Sequence, residues 1–122
     1  MTNPKNFRKF ITSSGKIVVA GKTSEQNEQI IKQAEPEEIV VHTKAAGSPF
    51  CNIKGDASKE DIQEAAIFCA RFSRDWKQHQ KDIKVHIFSG KDIYKEKNMK
   101  TGTFGVKKFK ALIVKKGDIE RW

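Results

Sequence analysis

Ile39-Val40-Val41-His42-Thr43 is the stretch on which the fold turns. Four of these five side chains branch at Cβ, which stiffens them and suits them to a packed, pleated surface, so the run predicts a central strand. Behind it, Pro36 and its neighbours end a helix over residues 24–34. Asn27, Ile30, Ile31 and Ala34 share one face of that helix, and Thr23 with Gln26 forms a capping box at its start. Further back, residues 7–12 alternate apolar and polar, Ser13-Ser14-Gly15 is a turn signal, and residues 16–21 are β-branched. Together they predict an N-terminal hairpin.

Ahead of the central run, Ala45-Ala46-Gly47-Ser48-Pro49 forms a small flexible loop and residues 50–54 alternate as a strand closed by Gly55-Asp56. Ser58 and Asp61 make a second capping signature. A helix over residues 59–77 follows, with a stripe of Ile62, Ala65, Ala66, Cys69, Ala70, Ser73 and Trp76 small enough to approach a sheet closely. Residues 84–89 predict a strand. Residues 90–105 lack a period and predict a long basic loop, and loops of that length are usually functional or mobile. Residues 106–114 return to strand, and 115–118 turn out of it. The order β-β-α-β-β-α-β-loop-β predicts an α+β fold. It is a single domain over residues 1–122, core about 7–115, with two helices packed on a mixed, largely antiparallel sheet.

The chain has 122 residues and a formal net charge of +9, from 24 Lys and Arg against 15 Asp and Glu. Residues 1–76 carry 11 basic and 10 acidic side chains, whereas residues 77–122 carry 13 and 5. Solubility needs no such asymmetry; a face for a polyanion does. No apolar run reaches the roughly 18 residues that span a bilayer, and Met1-Thr2-Asn3-Pro4-Lys5 leads into no secretory stretch. Cys51 and Cys69 lie outside any CxxC and predict two buried free thiols, in keeping with a cytoplasmic protein.

His42, His79 and His86 are the imidazoles. None stands in HxH or HxxxH spacing and no carboxylate sits at a ligand-like offset, so no metal site and no cofactor are expected. His42 and His86 could form an acid–base pair for phosphodiester cleavage, because that chemistry needs only two placed groups. Gly47-Ser48-Pro49 is no nucleophile elbow, and Gly102-Thr103-Phe104-Gly105 lacks the lysine and helix of a phosphate loop. The expectation is a binding module rather than an enzyme.

Within residues 91–108, Lys91, Lys95, Lys97, Lys100, Lys107 and Lys108 interleave with Tyr94 and Phe104. Ammonium groups neutralise phosphates and release counterions, and an aromatic ring can stack on an unpaired base. The alternative is a solvated basic loop with its aromatics turned inward. Lysine outnumbers arginine, which favours backbone or shape recognition over base readout.

Gly21-Lys22, Gln26-Asn27-Glu28, then Glu38-Ile39-Val40-Val41-His42-Thr43-Lys44 and Gly47-Ser48 together resemble the NFACT-R family. Its pattern is G-[KR]-x-x-x-Q-N-[DE], an acidic-apolar-H-x-K strand and a G-[SA] loop. Phe10 to Gly15, Ala65-Ala66, Phe72-Ser73, Trp76, Lys91 to Lys95 and Thr101-Gly102 also look like parts of it. Val40 stands where the family usually has Trp, and residues 96–102 lack its prolines. The family occurs in ribosome quality-control proteins of the RqcH and NEMF types. The resemblance implies RNA binding, to rRNA or tRNA and the large ribosomal subunit, without catalysis. The other domains of those proteins are not in this sequence, so tRNA recruitment and chain extension are not implied. The expected RNA-binding residues are Gln26, Asn27, His42, Lys44, Ser48, Lys91, Tyr94, Lys95, Lys97, Lys100, Lys107 and Lys108. On a buried stripe Asn27 needs polar partners, so it either fixes the strand of His42 and the Gly47-Ser48 loop or faces RNA with Gln26, His42 and Lys44. Docking on a ribosomal protein is a third possibility, and the oligomeric state stays open.

Overall fold

The computed structural model describes residues 7–122. The N-terminal reading of Met1 to Lys5 lies outside the described residues. The elements are β1 (Arg8–Ile11), β2 (Ile17–Ala20), α1 (Ser24–Gln33), β3 (Ile39–Thr43), β4 (Cys51–Ile53), α2 (Lys59–Arg71), α3 (Arg74–His79), β5 (Ile83–Ser89), β6 (Ile93–Tyr94), β7 (Gly105–Val106), β8 (Lys110–Val114) and α4 (Lys116–Glu120).

Six strands form one sheet in the order β1-β2-β4-β3-β5-β8, and every ladder in it is antiparallel. The α+β architecture therefore stands as expected, with β3 in the interior. Successive residues of a strand point to opposite faces, so each face collects its own core. Val18, Ala20, Val41, Cys51, Ile53, Val85 and Val114 pack under α2 and α4. Ala65, Ala66, Cys69 and Ala70 are fully buried there, and their small side chains let α2 lie close to the sheet. On the other face Val19, Val40, Phe50 and Phe88 pack against Ile30 of α1, with Ile93, Phe104 and Val106 added from the β6–β7 hairpin. Ile30 is fully buried and its burial contributes about 2–3 kcal/mol.

Three local expectations are corrected. The helix over residues 59–77 is two helices. Ser73 breaks it, because its hydroxyl donates to the Ala70 carbonyl at 2.7 Å and accepts from Trp76 N–H at 3.1 Å, capping α3. The turn at 115–118 is α4, whose Ile119 is fully buried, and Trp122 packs on Phe10, Phe68 and Phe72. The core thus runs past residue 115. The long loop over 90–105 instead holds a short 3₁₀ turn and the two-stranded β6–β7 hairpin.

Both N-caps form, but the reciprocal box closes only at α2. At α2 the box is complete, with Ser58 and Asp61 bonding reciprocally. Asp61 also accepts from the hydroxyls of Thr12 and Ser14, both at 2.7 Å, tying the β1–β2 turn to the helix. The Ser58 N–H and these hydroxyls hold its carboxyl well below the usual carboxylate range. At α1, Thr23 accepts from Gln26 N–H, but the Gln26 amide oxygen takes the N–H of Lys22.

Candidate functional site

The segment Gly21 to Glu28 sets the geometry of one end of the sheet. A Cβ on Gly21 would lie 2.3 Å from Asn27 Oδ1, so only glycine lets the Asn27 side chain reach past the backbone. That oxygen accepts from Phe50 N–H at 3.1 Å, just before β4. Asn27 therefore fixes the approach to β4 rather than the strand bearing His42. Phe50 in turn stacks on His42, with ring centroids 4.1 Å apart. Glu28 reaches the other way, accepting from Gly102 N–H at 2.7 Å and from Lys95 Nζ at 2.6 Å. Burial alone would raise the Glu28 carboxyl; the Lys95 ammonium and the Gly102 amide outweigh it, and the net shift is downward.

The Gly47-Ser48 loop meets this segment. Gly47 has φ +94°, and a Cβ there would press within 3.0 Å of the Arg74 side chain. Its carbonyl accepts from Arg74 N–H at 2.8 Å, which seats the start of α3 beside the loop. Ser48 is buried, its hydroxyl accepting from Thr43 N–H at 3.1 Å and donating to the Pro49 carbonyl at 3.3 Å. The Cys69 thiol donates to that same carbonyl at 3.5 Å, and Cys51 and Cys69 are both buried free thiols.

Between these parts opens a cleft of about 390 Å³. Asn27, Gly47 and Ser48 line it together with Arg8, Lys22, Arg74 and Lys77. Among the described residues none of these four cations has a carboxylate partner. Arg8 is steadied by the Phe72 ring, 4.5 Å away. The N-terminal end of α1, where Thr23 and Ser24 also line the cleft, adds a positive dipole end. Arg8, Arg74 and Lys77 were not singled out in the sequence, and Lys22 entered only as part of the family motif, not as a binding residue. Arg8 and Arg74 fall in the stretch whose charge nearly balances.

The residues expected from 91–108 divide. Lys95 is engaged: besides Glu28 it donates to the carbonyls of Lys100 and Thr103, and it sits 4.6 Å over the Phe104 ring. Lys91 pairs with Glu37 at 3.4 Å on the surface. Tyr94 lies over Gly105, its cross-strand partner, and remains partly exposed. Lys97, Lys100, Lys107 and Lys108 point to solvent. The tip of the hairpin nears the cleft, since Gly102 abuts Ser24.

A second cavity of about 330 Å³ adjoins the cleft at Gly47 and is lined by His42, Lys44, Phe50, His86 and Phe104. His42 and His86 are cross-strand partners. Burial pushes His42 down to about 4, and its Nδ1 is 2.8 Å from the Thr43 carbonyl. Burial, then Lys44 and Lys84, also lower His86. Both shifts are downward, so each favours the neutral imidazole. Among the described residues no cluster of His, Cys, Asp and Glu could hold a metal ion, and no helix is long and apolar enough to cross a membrane.

The geometry is that of a small α+β domain with a cationic cleft at a helix start, built on an antiparallel sheet. Residues 6–108 match the family described as the NFACT protein RNA binding domain. The chain belongs to that family. It is also 37% identical over 73 residues to the archaeal Rqc2 homolog aRqcH of Methanocaldococcus jannaschii, a match covering 57% of this chain and 11% of that protein. The chain thus spans about a ninth of that relative's length. Its fold is similar to the C-terminal part of the fibronectin/fibrinogen-binding protein of Streptococcus suis, with TM-score 0.82 and 24% identity over 99% of this chain and 49% of the other.

Proposed function

We propose that this domain binds RNA by its sugar-phosphate backbone, with the α1 cleft as the principal contact and without catalysing a reaction. One observation carries the reading. Motif residues from α1, the Gly47-Ser48 loop and the start of α3 converge on a cleft whose four cations have no carboxylate partner among the described residues. Arg8 and Arg74 offer planar forks suited to phosphate oxygens, and Lys22 and Lys77 offer point charges. Lys44, Lys97, Lys100, Lys107 and Lys108 extend the contact around the hairpin side, while Gln26, Asn27, Ser48 and His42 shape the cleft and its neighbour. Lys91, Tyr94 and Lys95 support the hairpin and touch RNA at its margin. Membership of the family, together with the resemblance to an Rqc2 homolog, favours rRNA or tRNA on the large ribosomal subunit during quality control, in the cytoplasm.

Affinity for a tRNA or an rRNA fragment, measured across salt, tests this. Each phosphate neutralised adds roughly 0.7–0.9 to the slope of log K against log salt, so a cleft with four cations predicts a slope of at least about −3. A flat plot would overturn phosphate contact as the mechanism.

A further inference from the structure

The geometry points to a stacking platform for an unpaired nucleobase at the β5–β8 end of the sheet, with Phe109 as the ring that receives it. This inference rests on the RNA reading above and says which form of RNA the domain prefers. The ring of Phe109 stacks on His86, with centroids 4.1 Å apart and planes 23° from parallel. It is nevertheless 52% exposed.

The hairpin and α1 cover the sheet face over Val40, Phe50 and Phe88, but that cover stops short of β8. Cross-strand partners share a face, and Lys84 pairs with Ile113 and His86 with Ala111. Lys84, Ala111 and Ile113 are all exposed. The uncovered strip thus carries an aromatic stack, a short apolar floor and the ammonium groups of Lys44 and Lys84. Lys44 lines the same cavity as His86, its backbone N–H donates to the Lys84 carbonyl at 2.9 Å, and both lysines border a further cavity with Ile113.

Of the nearby acids, Asp75 and Asp82 are occupied, and Asp92 shares a groove with Phe109, Lys107, Lys108 and Lys110. Asp75 takes His79 at 2.8 Å, and Asp82 accepts Lys116 N–H at 2.8 Å and faces Lys115 at 3.7 Å. Lys44 and Lys84 have no such partner among the described residues. A single exposed ring is ordinary on a protein surface. A ring pre-stacked on an imidazole and flanked by unpaired cations suits a base whose phosphates lie on either side. Continuity supports the same occupant. Gly47 lines both the cleft and the His42–His86 cavity, and Lys44 continues from that cavity towards Lys84. A single strand seated in the cleft can therefore run past Gly47 and Lys44 and lay a base on Phe109.

The test uses the full chain and two ligands of equal charge: a single-stranded oligoribonucleotide of about 10 residues and its abasic counterpart of the same length. The wild type should prefer the base-bearing strand by about tenfold, the effect of one stacked base. Phe109→Ala and Phe109→Leu should abolish that preference and leave abasic affinity unchanged, while Phe109→Trp should keep it. Thermal unfolding of each variant confirms folding. Absence of a preference in the wild type, or its survival in Phe109→Ala, overturns the platform while leaving phosphate binding intact. If neither ligand binds with salt dependence, the RNA reading itself fails. If Phe109→Ala instead disrupts only capture of an acidic protein, the strip is a protein contact and the platform is overturned.

Discussion

In the α1 cleft, Arg8, Lys22, Arg74 and Lys77 come from separated stretches of chain and meet with no carboxylate among them. In residues 91–108, six lysines follow one another closely in sequence, yet Lys91 faces Glu37 and Lys95 is bound by Glu28. The other four stand on the surface of a small hairpin and its flank. Density along the chain and density on the surface are different quantities. A run of like charges repels itself and recruits counter-charges as the chain folds, which here gives lysine a structural use. Cations brought together by the fold are held by backbone geometry, such as the Gly47 carbonyl on Arg74, and stay available to a ligand.

The largest effect expected separates the two regions at constant net charge. A quadruple variant Arg8→Gln, Lys22→Gln, Arg74→Gln, Lys77→Gln and a second variant Lys97→Gln, Lys100→Gln, Lys107→Gln, Lys108→Gln each remove four positive charges. At roughly 0.7 per phosphate on a single strand, losing all four cleft contacts lowers RNA affinity about 200-fold at 0.15 M salt. The hairpin variant should cost less than about tenfold, because its ammonium groups are farther from one another and individually screened. Filter binding at several salt concentrations reads both. A larger loss in the hairpin variant would reverse the ranking of the two regions.

A smaller effect concerns the joint between them. Asn27 holds Phe50, Phe50 stacks on His42, and Phe104 of the hairpin meets Phe50 edge-on at 5.4 Å. His42 titrates near 4 in the folded protein against 6.5 in the open chain. Its folded value is lowered, so the unfolded state binds the proton more readily between these values. The contribution is complete above pH 6.5 and is lost as pH falls towards 4. About 2 kcal/mol of stability should disappear over that window, after allowance for the ring's partial exposure. Urea unfolding of the wild type and of His42→Phe measures it; the variant should show a flatter profile there. Equal slopes would mean that His42 does not titrate as part of the joint.

The sheet was legible because its signals are local. The β-branched run at Ile39 to Thr43, the turn at Ser13-Ser14-Gly15 and the caps at Thr23 and Ser58 each act within a few residues. What escaped needed distant partners. The stripe through Ser73 and Trp76 reads as one continuous helix, and only the hydroxyl of Ser73 and the pull of Gly47 on Arg74 show the break. The motif Gly21 to Glu28 could be recognised as a pattern. Its physical reason, a glycine that admits Asn27 and a glutamate that clamps a hairpin 74 residues away, could not. The cleft cations were hidden because Arg8 and Arg74 carry no mark in sequence until the sheet brings β1 beside the start of α3.

The smallest effect tests whether the hairpin's lysines are structural. Glu28→Gln keeps the shape of the side chain and removes its charge, leaving Lys95 without its counter-ion and weakening the bond from Gly102 N–H. Such a partly exposed, charge-assisted pair is worth about 1 kcal/mol. Hydrogen exchange should therefore quicken about fivefold at Gly102 and across Tyr94 and Gly105, with the amides of α2 unchanged. Acid should mimic the variant. The Glu28 carboxyl is lowered in the folded state, so the clamp is whole above its ordinary value of 4.5 and weakens as pH drops through the folded value. The cleft guanidinium and ammonium groups keep their charge throughout. RNA binding through the cleft should then survive the loosening of the hairpin in Glu28→Gln to within about threefold, less than the one tenfold step that 1.4 kcal/mol would give. A drop as large as that of the cleft variant would show that the hairpin, clamped on α1, positions the cleft itself, and the two regions would have to be read as one site.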